Sequence, residues 1–102
     1  MPEFKSLDPL LHNELRLKIV SLLISLEKAS FNFLLEKTEA SKGNLSVQLK
    51  KLQTAGYLKM EKSFKDNYPH TEAKLTKKGV QSFERYVEAI NSYLQNDKKE
   101  DG

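Results

Sequence analysis

Apolar residues change their spacing twice along this chain. They recur every three or four positions from Leu11 to Leu52, every second position at Leu58–Met60 and Ala73–Leu75, and every three or four again from Val80 to Leu94. A period near 3.6 buries one side of a helix and a period of 2 buries one face of a strand. The order is therefore helices, a strand pair and a final helix, all within 102 residues. A chain of that length closes around one core and has little left to wall a deep substrate cavity. We expect a single domain over residues 1–95, mainly α within an α+β class, followed by a flexible polar tail at 96–102.

Local signals refine the order. Asp8-Pro9 predicts a helix start with Asp as cap and Pro in the first turn. Leu11, Leu15, Ile19, Leu22 and Leu26 then form a stripe, which Leu17, Val20, Leu23 and Ile24 widen as expected of a central helix. Ser30 caps a short second helix bearing Phe31, Leu34, Leu35 and Thr38, and Glu39-Ala40 makes the turn. Ser41 opens a third helix, in which Leu45, Leu49 and Leu52 lie within about 60° of one another and face the core. The opposite arc holds Gly43, Ser46, Val47, Lys50, Lys51 and Thr54, flanked by Lys42, Asn44 and Gln48. Ala55-Gly56 ends that helix with a residue suited to a left-handed cap. The link between the two strands, Ser63 to Thr71, exceeds a tight hairpin turn and predicts a protruding loop. Thr76 caps the last helix, where Val80, Phe83, Val87, Ile90 and Leu94 form a coiled-coil-like seam widened by Tyr86 and Tyr93. That stripe is broader than one short hairpin and one helix would cover, so either the domain folds over it or a second copy does.

Composition removes whole classes of chemistry. The absence of Cys excludes a disulfide scaffold, a thiolate metal site and a Cys nucleophile, and suggests a reducing compartment. Met1-Pro2-Glu3-Phe4-Lys5-Ser6 does not read as a secretory signal. The longest apolar run, Ile19 to Leu26, is broken by two serines and falls short of the ~20 residues that span a bilayer. A cytoplasmic location is expected. His12 and His70, 58 positions apart, make half a metal site at best, and Glu84 with Glu88 reads as a wet helix face. With no nucleophile triad and no glycine-rich phosphate loop, an enzyme is not expected, nor is a cofactor or a bound metal. The net charge of +3 hides an uneven distribution: residues 37–78 hold ten basic and four acidic side chains, a net +6, between arms of −1 and −2. Clustered positive charge suits a polyanion, although charge alone equally suits a solvated surface.

Four stretches carry a resemblance. They are Leu7-Asp8-Pro9 with Leu15-Arg16-Leu17-Lys18-Ile19; Gly43-Asn44-Leu45-Ser46 with Leu49 and Leu52; Ala55-Gly56-Tyr57-Leu58; and Leu75-Thr76-Lys77-Lys78-Gly79. In this order, across residues 7 to 94, the chain resembles the small MarR/ArsR-like winged helix-turn-helix transcriptional regulators of bacteria and archaea. The resemblance implies that the third helix is a recognition helix, the two-stranded β-hairpin a wing and the C-terminal helix a dimerisation element. On that reading Ser41, Lys42, Asn44, Ser46 and Gln48 face base edges, since a helix fits the B-form major groove and its first turns reach them. Lys50 and Lys51 meet phosphates. Val47 stands where relatives often carry a basic or polar residue; its side chain suits a thymine methyl. Lys62, Lys65, Asn67, Tyr68 and His70 belong to the wing.

Structural roles are open to the same residues: Gln48 can satisfy a backbone group, Asn44 can cap locally and Tyr68 can pack on the hairpin. The expected partners are double-stranded DNA, read as an inverted repeat, and a second copy of the chain. That copy would be held through Phe83, Tyr86, Val87, Ile90, Tyr93 and Leu94, with help from residues 4–15. No membrane partner is expected, and a small-molecule effector is left open. The rival reading is a winged-helix protein–protein interaction module. RNA binding is a third, weakened by the lack of stacked aromatics.

Overall fold

The computed structural model describes residues 4–100, with side chains through Gln95. Residues 1–3, the start of the segment read as lacking a signal, and 101–102, the end of the expected tail, lie outside the described residues. The elements are α1 (Glu14–Ser25), β1 (Ala29–Ser30), α2 (Phe31–Thr38), α3 (Lys42–Thr54), β2 (Leu58–Lys65), β3 (Tyr68–Leu75) and α4 (Lys77–Glu100). The sheet is antiparallel in the order β1-β3-β2. Helix α1 packs against α2, α3, α4 and β3, as its broad apolar arc requires. Leu11, Ile19, Val20, Leu34, Leu45, Leu52 and Leu58 are fully buried at the centre. No helix among the described residues is long and apolar enough to cross a membrane.

The structure departs from expectation at four places. The first helix starts at Glu14, capped by Asn13, whose Oδ1 accepts from the Arg16 N–H at 2.9 Å. Asp8-Pro9 makes a separate turn, in which Asp8 Oδ1 accepts from Leu10 N–H and the Asp8 carbonyl from His12 N–H, both at 2.8 Å. Because that turn is itself helix-like, Leu11 stays in phase with the stripe below it and is buried. Second, a short strand, β1, pairs Ala29 with Ala73 and Ser30 with Glu72, making the sheet three-stranded.

Third, the segment 63–71 is strand rather than loop. β2 and β3 pair from Leu58↔Leu75 up to Lys65↔Tyr68 and close with Asp66-Asn67, whose φ values of 54° and 66° make the left-handed pair that a tight hairpin demands. Pro69 is tolerated there because β1 pairs only with Ala73 and Glu72 and leaves that part of β3 with a free edge. Fourth, the backbone of the expected polar tail continues α4 to Glu100.

Two glycines fix the corner between α3 and α4. Gly56 has φ 84°, and the N–H of Tyr57 reaches the Leu52 carbonyl while that of Gly56 reaches Gln53, both at 2.9 Å. This is the left-handed termination that turns the chain into β2. Thr76 then caps α4, accepting from Gly79 N–H at 3.0 Å and donating its hydroxyl to the Gly56 carbonyl at 2.6 Å.

The N-terminal strand of chain lies along α4. The Phe4 ring sits 4.7 Å from that of Tyr93, Lys5 N–H donates to Ser92 Oγ at 3.1 Å, and the Lys5 ammonium pairs with Glu88. That hydrogen bond and charge hold the Glu88 carboxyl below its usual pKa. Further along, the Tyr57 hydroxyl donates to Asp8, and burial together with that bond raises the phenol pKa.

Candidate nucleic-acid interface

Burial of Leu45, Leu49 and Leu52 fixes the rotation of α3. Each fully buried leucine is worth ~1.5–3 kcal/mol, far more than any surface contact that would turn the helix another way. The remaining side follows from geometry: Ser41, Lys42, Asn44, Ser46, Lys50 and Lys51 are exposed, and Val47 stands among them half in solvent. Ser41 is the cap, its Oγ accepting from Asn44 N–H at 3.1 Å. No Cβ neighbour would meet a side chain at Gly43, so the first turn presents open backbone. Unpaired N–H groups at such a turn favour an approaching anion.

Gln48 differs from its neighbours. It is half-buried, its Oε1 accepting from Arg16 Nη1 and its Nε2 donating to Asn44 Oδ1 at 3.0 Å. Arg16 is in turn anchored by donating from Nε to the Leu10 carbonyl at 2.6 Å. Sequence reasoning missed Arg16 at this site because it lies on α1, 32 positions away, with no periodic signal to connect it to Gln48.

The wing residues do not share one face. Strand alternation and the register put Lys65, Tyr68 and His70 on one side of the ribbon, Lys62 on the other beside Phe64, and Asn67 in the turn. Lys62, Lys65, Asn67 and Tyr68 are exposed, while His70 is half-buried with Nε2 3.6 Å from the Glu72 carboxylate. Phe64, 79% exposed, was not singled out from the sequence, although it continues the alternation of Leu58 and Met60. Among the described residues none of Lys42, Lys50, Lys51, Lys62 or Lys65 forms an ion pair. Nor does any group of three His, Asp or Glu side chains there converge as metal ligands would. The second histidine, His12, shares a 2.9 Å hydrogen bond with the Tyr86 hydroxyl.

On α4 the expected interface stripe splits in two. Ser82, Tyr86 and Ala89 face the chain's own core, with Gly79 one turn earlier. Tyr86 is thus mainly a core residue, a correction to its place on an outer face; one side of it still borders the groove toward α1, and its hydroxyl meets the exposed His12 ring. Phe83 and Ile90 are half-buried at the edge, and Val87, Tyr93 and Leu94 are exposed. Between this edge and α1 runs a shallow groove lined by Leu17, Ser21, Phe83, Tyr86, Val87, Ile90 and Asn91.

Comparison with known proteins places this arrangement in company. The family model described as the winged helix DNA-binding domain matches residues 15–94. An uncharacterized protein of Methanocaldococcus jannaschii is 38% identical over 81 residues, covering 79% of this chain and 88% of that protein. The structure of a transcriptional regulator homologue from Pyrococcus horikoshii superposes with a TM-score of 0.80 at 25% identity, over 85% of this chain and 86% of the other. Bacillus subtilis PadR, solved in complex with operator DNA, shares the fold with a TM-score of 0.66 at 18% identity, over 74% of this chain and 47% of PadR.

Proposed function

Because this chain belongs to the winged helix DNA-binding domain family, we propose that it is a cytoplasmic, non-catalytic transcriptional regulator that binds double-stranded DNA sequence-specifically as a homodimer. The observation that carries this reading is the outward face of α3, polar and cationic, uncovered by the chain and free of ion pairs among the described residues. Buried leucines hold it in place, so it needs no rearrangement to dock. A helix presented in this way fits the major groove, with Ser41, Lys42, Asn44, Ser46 and Val47 toward base edges and Lys50 and Lys51 toward phosphates. Lys62, Lys65, Asn67, Tyr68 and His70 flank it on the wing. That PadR, of the same fold, is known with its operator supports the class of partner.

The test is a fluorescence-anisotropy titration against random duplex at two salt concentrations, followed by selection of bound duplexes from a random pool. Strong salt-dependent binding and a symmetric selected site are expected. The exposed Val47, Phe64 and Tyr68 support the second reading, a protein-docking module, and absence of DNA binding even at low salt would overturn the first reading in its favour.

The dimer draws on Val87 and Leu94, which the chain leaves exposed, and on Tyr93, partly covered by Phe4, with Phe83 and Ile90 beside them. A two-fold pair would set half-sites about one turn, ~34 Å, apart. Val87→Glu combined with Leu94→Glu is expected to convert a dimer into a monomer at micromolar concentration by analytical ultracentrifugation. It should leave the fold intact, since both positions are exposed. A monomeric unmodified protein would remove the inverted-repeat reading.

A further inference from the structure

The chain of hydrogen bonds from α1 to the tip of α3 has a direction. A guanidinium only donates, so the Gln48 atom facing Arg16 Nη1 must be its oxygen. The Gln48 nitrogen, which also only donates, then faces Asn44, and the Asn44 atom 3.0 Å away must be Oδ1. Asn44 is therefore left with its Oδ1 turned toward Gln48 and its two amide N–H groups available outward. Among the described residues the Asn44 amide nitrogen has no hydrogen-bond partner: the Asn44 side chain is engaged only through Oδ1, and the Ser41 hydroxyl accepts from the Asn44 backbone N–H. Arg16 cannot relax this order, since its Nε is tied to the Leu10 carbonyl and its side chain is partly buried between α1 and α3. Partial burial of the two Arg16 bonds shields that end of the relay from water, while the Gln48–Asn44 bond lies at the surface.

We propose that Asn44 reads DNA as a donor, selecting a base that presents acceptors in the major groove, guanine above all, and that Arg16 and Gln48 are positioning residues that set this polarity. This inference rests on the DNA-binding reading above. Without the relay, an exposed asparagine pairs with adenine, accepting from N6 and donating to N7. With Oδ1 turned to Gln48, that two-bond pairing loses one partner, whereas N7 and O6 of guanine both accept.

The proposal predicts that the preference can be reversed without touching Asn44. Gln48→Glu keeps the bond to Arg16 as an ion pair but offers Asn44 only an acceptor. The Asn44 amide then turns, donating inward and presenting Oδ1 to the groove, where adenine N6 or cytosine N4 would be favoured. The base pair read is the one whose preference is lost in Asn44→Ala. At that pair, competition titrations should show the unmodified protein favouring guanine over adenine about ten-fold, and Gln48→Glu lowering that ratio about ten-fold or more. Using the ratio removes the uniform loss of affinity that an added negative charge brings.

A thermal melt checks that the variant folds. Side-chain amide NMR of the free protein gives an independent readout: slow exchange should move from the Gln48 NH2 to the Asn44 NH2 in the variant. Adenine preferred by the unmodified protein, or an unchanged ratio in Gln48→Glu, would overturn the polarity while leaving DNA binding intact. No salt-dependent DNA binding at all would overturn the functional reading and this inference with it.

Discussion

Gly79→Ala is expected to destabilise the fold by about 3 kcal/mol or more, lowering the melting temperature by roughly 12 °C or beyond. A Cβ at that position would fall inside the van der Waals shell of the Tyr57 carbonyl oxygen, 2.9 Å from the carbonyl carbon and 3.2 Å from Leu75 Cδ2. Two of those neighbours are backbone and cannot rotate away. Nor can α4 lift off, because Thr76 N–H donates to the Tyr57 carbonyl at 3.0 Å and the Thr76 hydroxyl donates to Gly56. The clash must therefore be relieved by moving a helix or breaking the corner that turns α3 into β2. Gly43→Ala is the control, since an added Cβ there meets nothing within 4 Å and the melting temperature should not fall. Urea denaturation of both variants measures the difference. Equal stabilities would mean that α4 does not cross Tyr57 so closely.

The same close crossing explains why α4 was only half legible in the sequence. Periodicity finds large apolar residues, and it found Val80, Phe83, Val87, Ile90 and Leu94. The buried stripe is Gly79, Ser82, Tyr86 and Ala89, with Phe83 and Ile90 packed at its edge; apart from Tyr86, which widened the expected seam, the buried positions are small residues suited to close approach that give little apolar periodicity. By contrast α3 was readable throughout, because its cap at Ser41, its leucines and its terminal Gly56 all point to one answer.

The start of α1 was misplaced because Asp8-Pro9 and Asn13 are both good starts and local chemistry does not rank them. Asp66-Asn67 was passed over as a turn because the left-handed tendency of Asp and Asn is weaker than that of Gly. In the candidate interface, the exposure of Lys42, Asn44, Lys50 and Lys51 followed from helix geometry, while the wing residues and the interface role came from the family resemblance. Arg16 followed from neither, because the contact that gives it meaning joins two helices and exists only after folding.

Replacing Lys50 and Lys51 together by Ala should weaken binding to every duplex and flatten the dependence of log K on log salt by up to ~2 per protomer. Each lysine–phosphate contact that releases condensed counterion contributes ~0.9 to that slope. Both side chains are exposed, and neither has an ion-pair partner among the described residues, so their charge is not already neutralised within the chain. They lie on the second half of α3, beyond the turn that holds Asn44, where a helix entering the groove at its N-terminus passes the sugar–phosphate strand. Because phosphate oxygens are the same at every step, the selected sequence should not change even as affinity falls. The pair of readouts separates roles that affinity alone would merge. A lower slope with an unchanged site assigns the lysines to the backbone, an altered site at constant slope assigns them to base edges, and no change in either removes them from the interface.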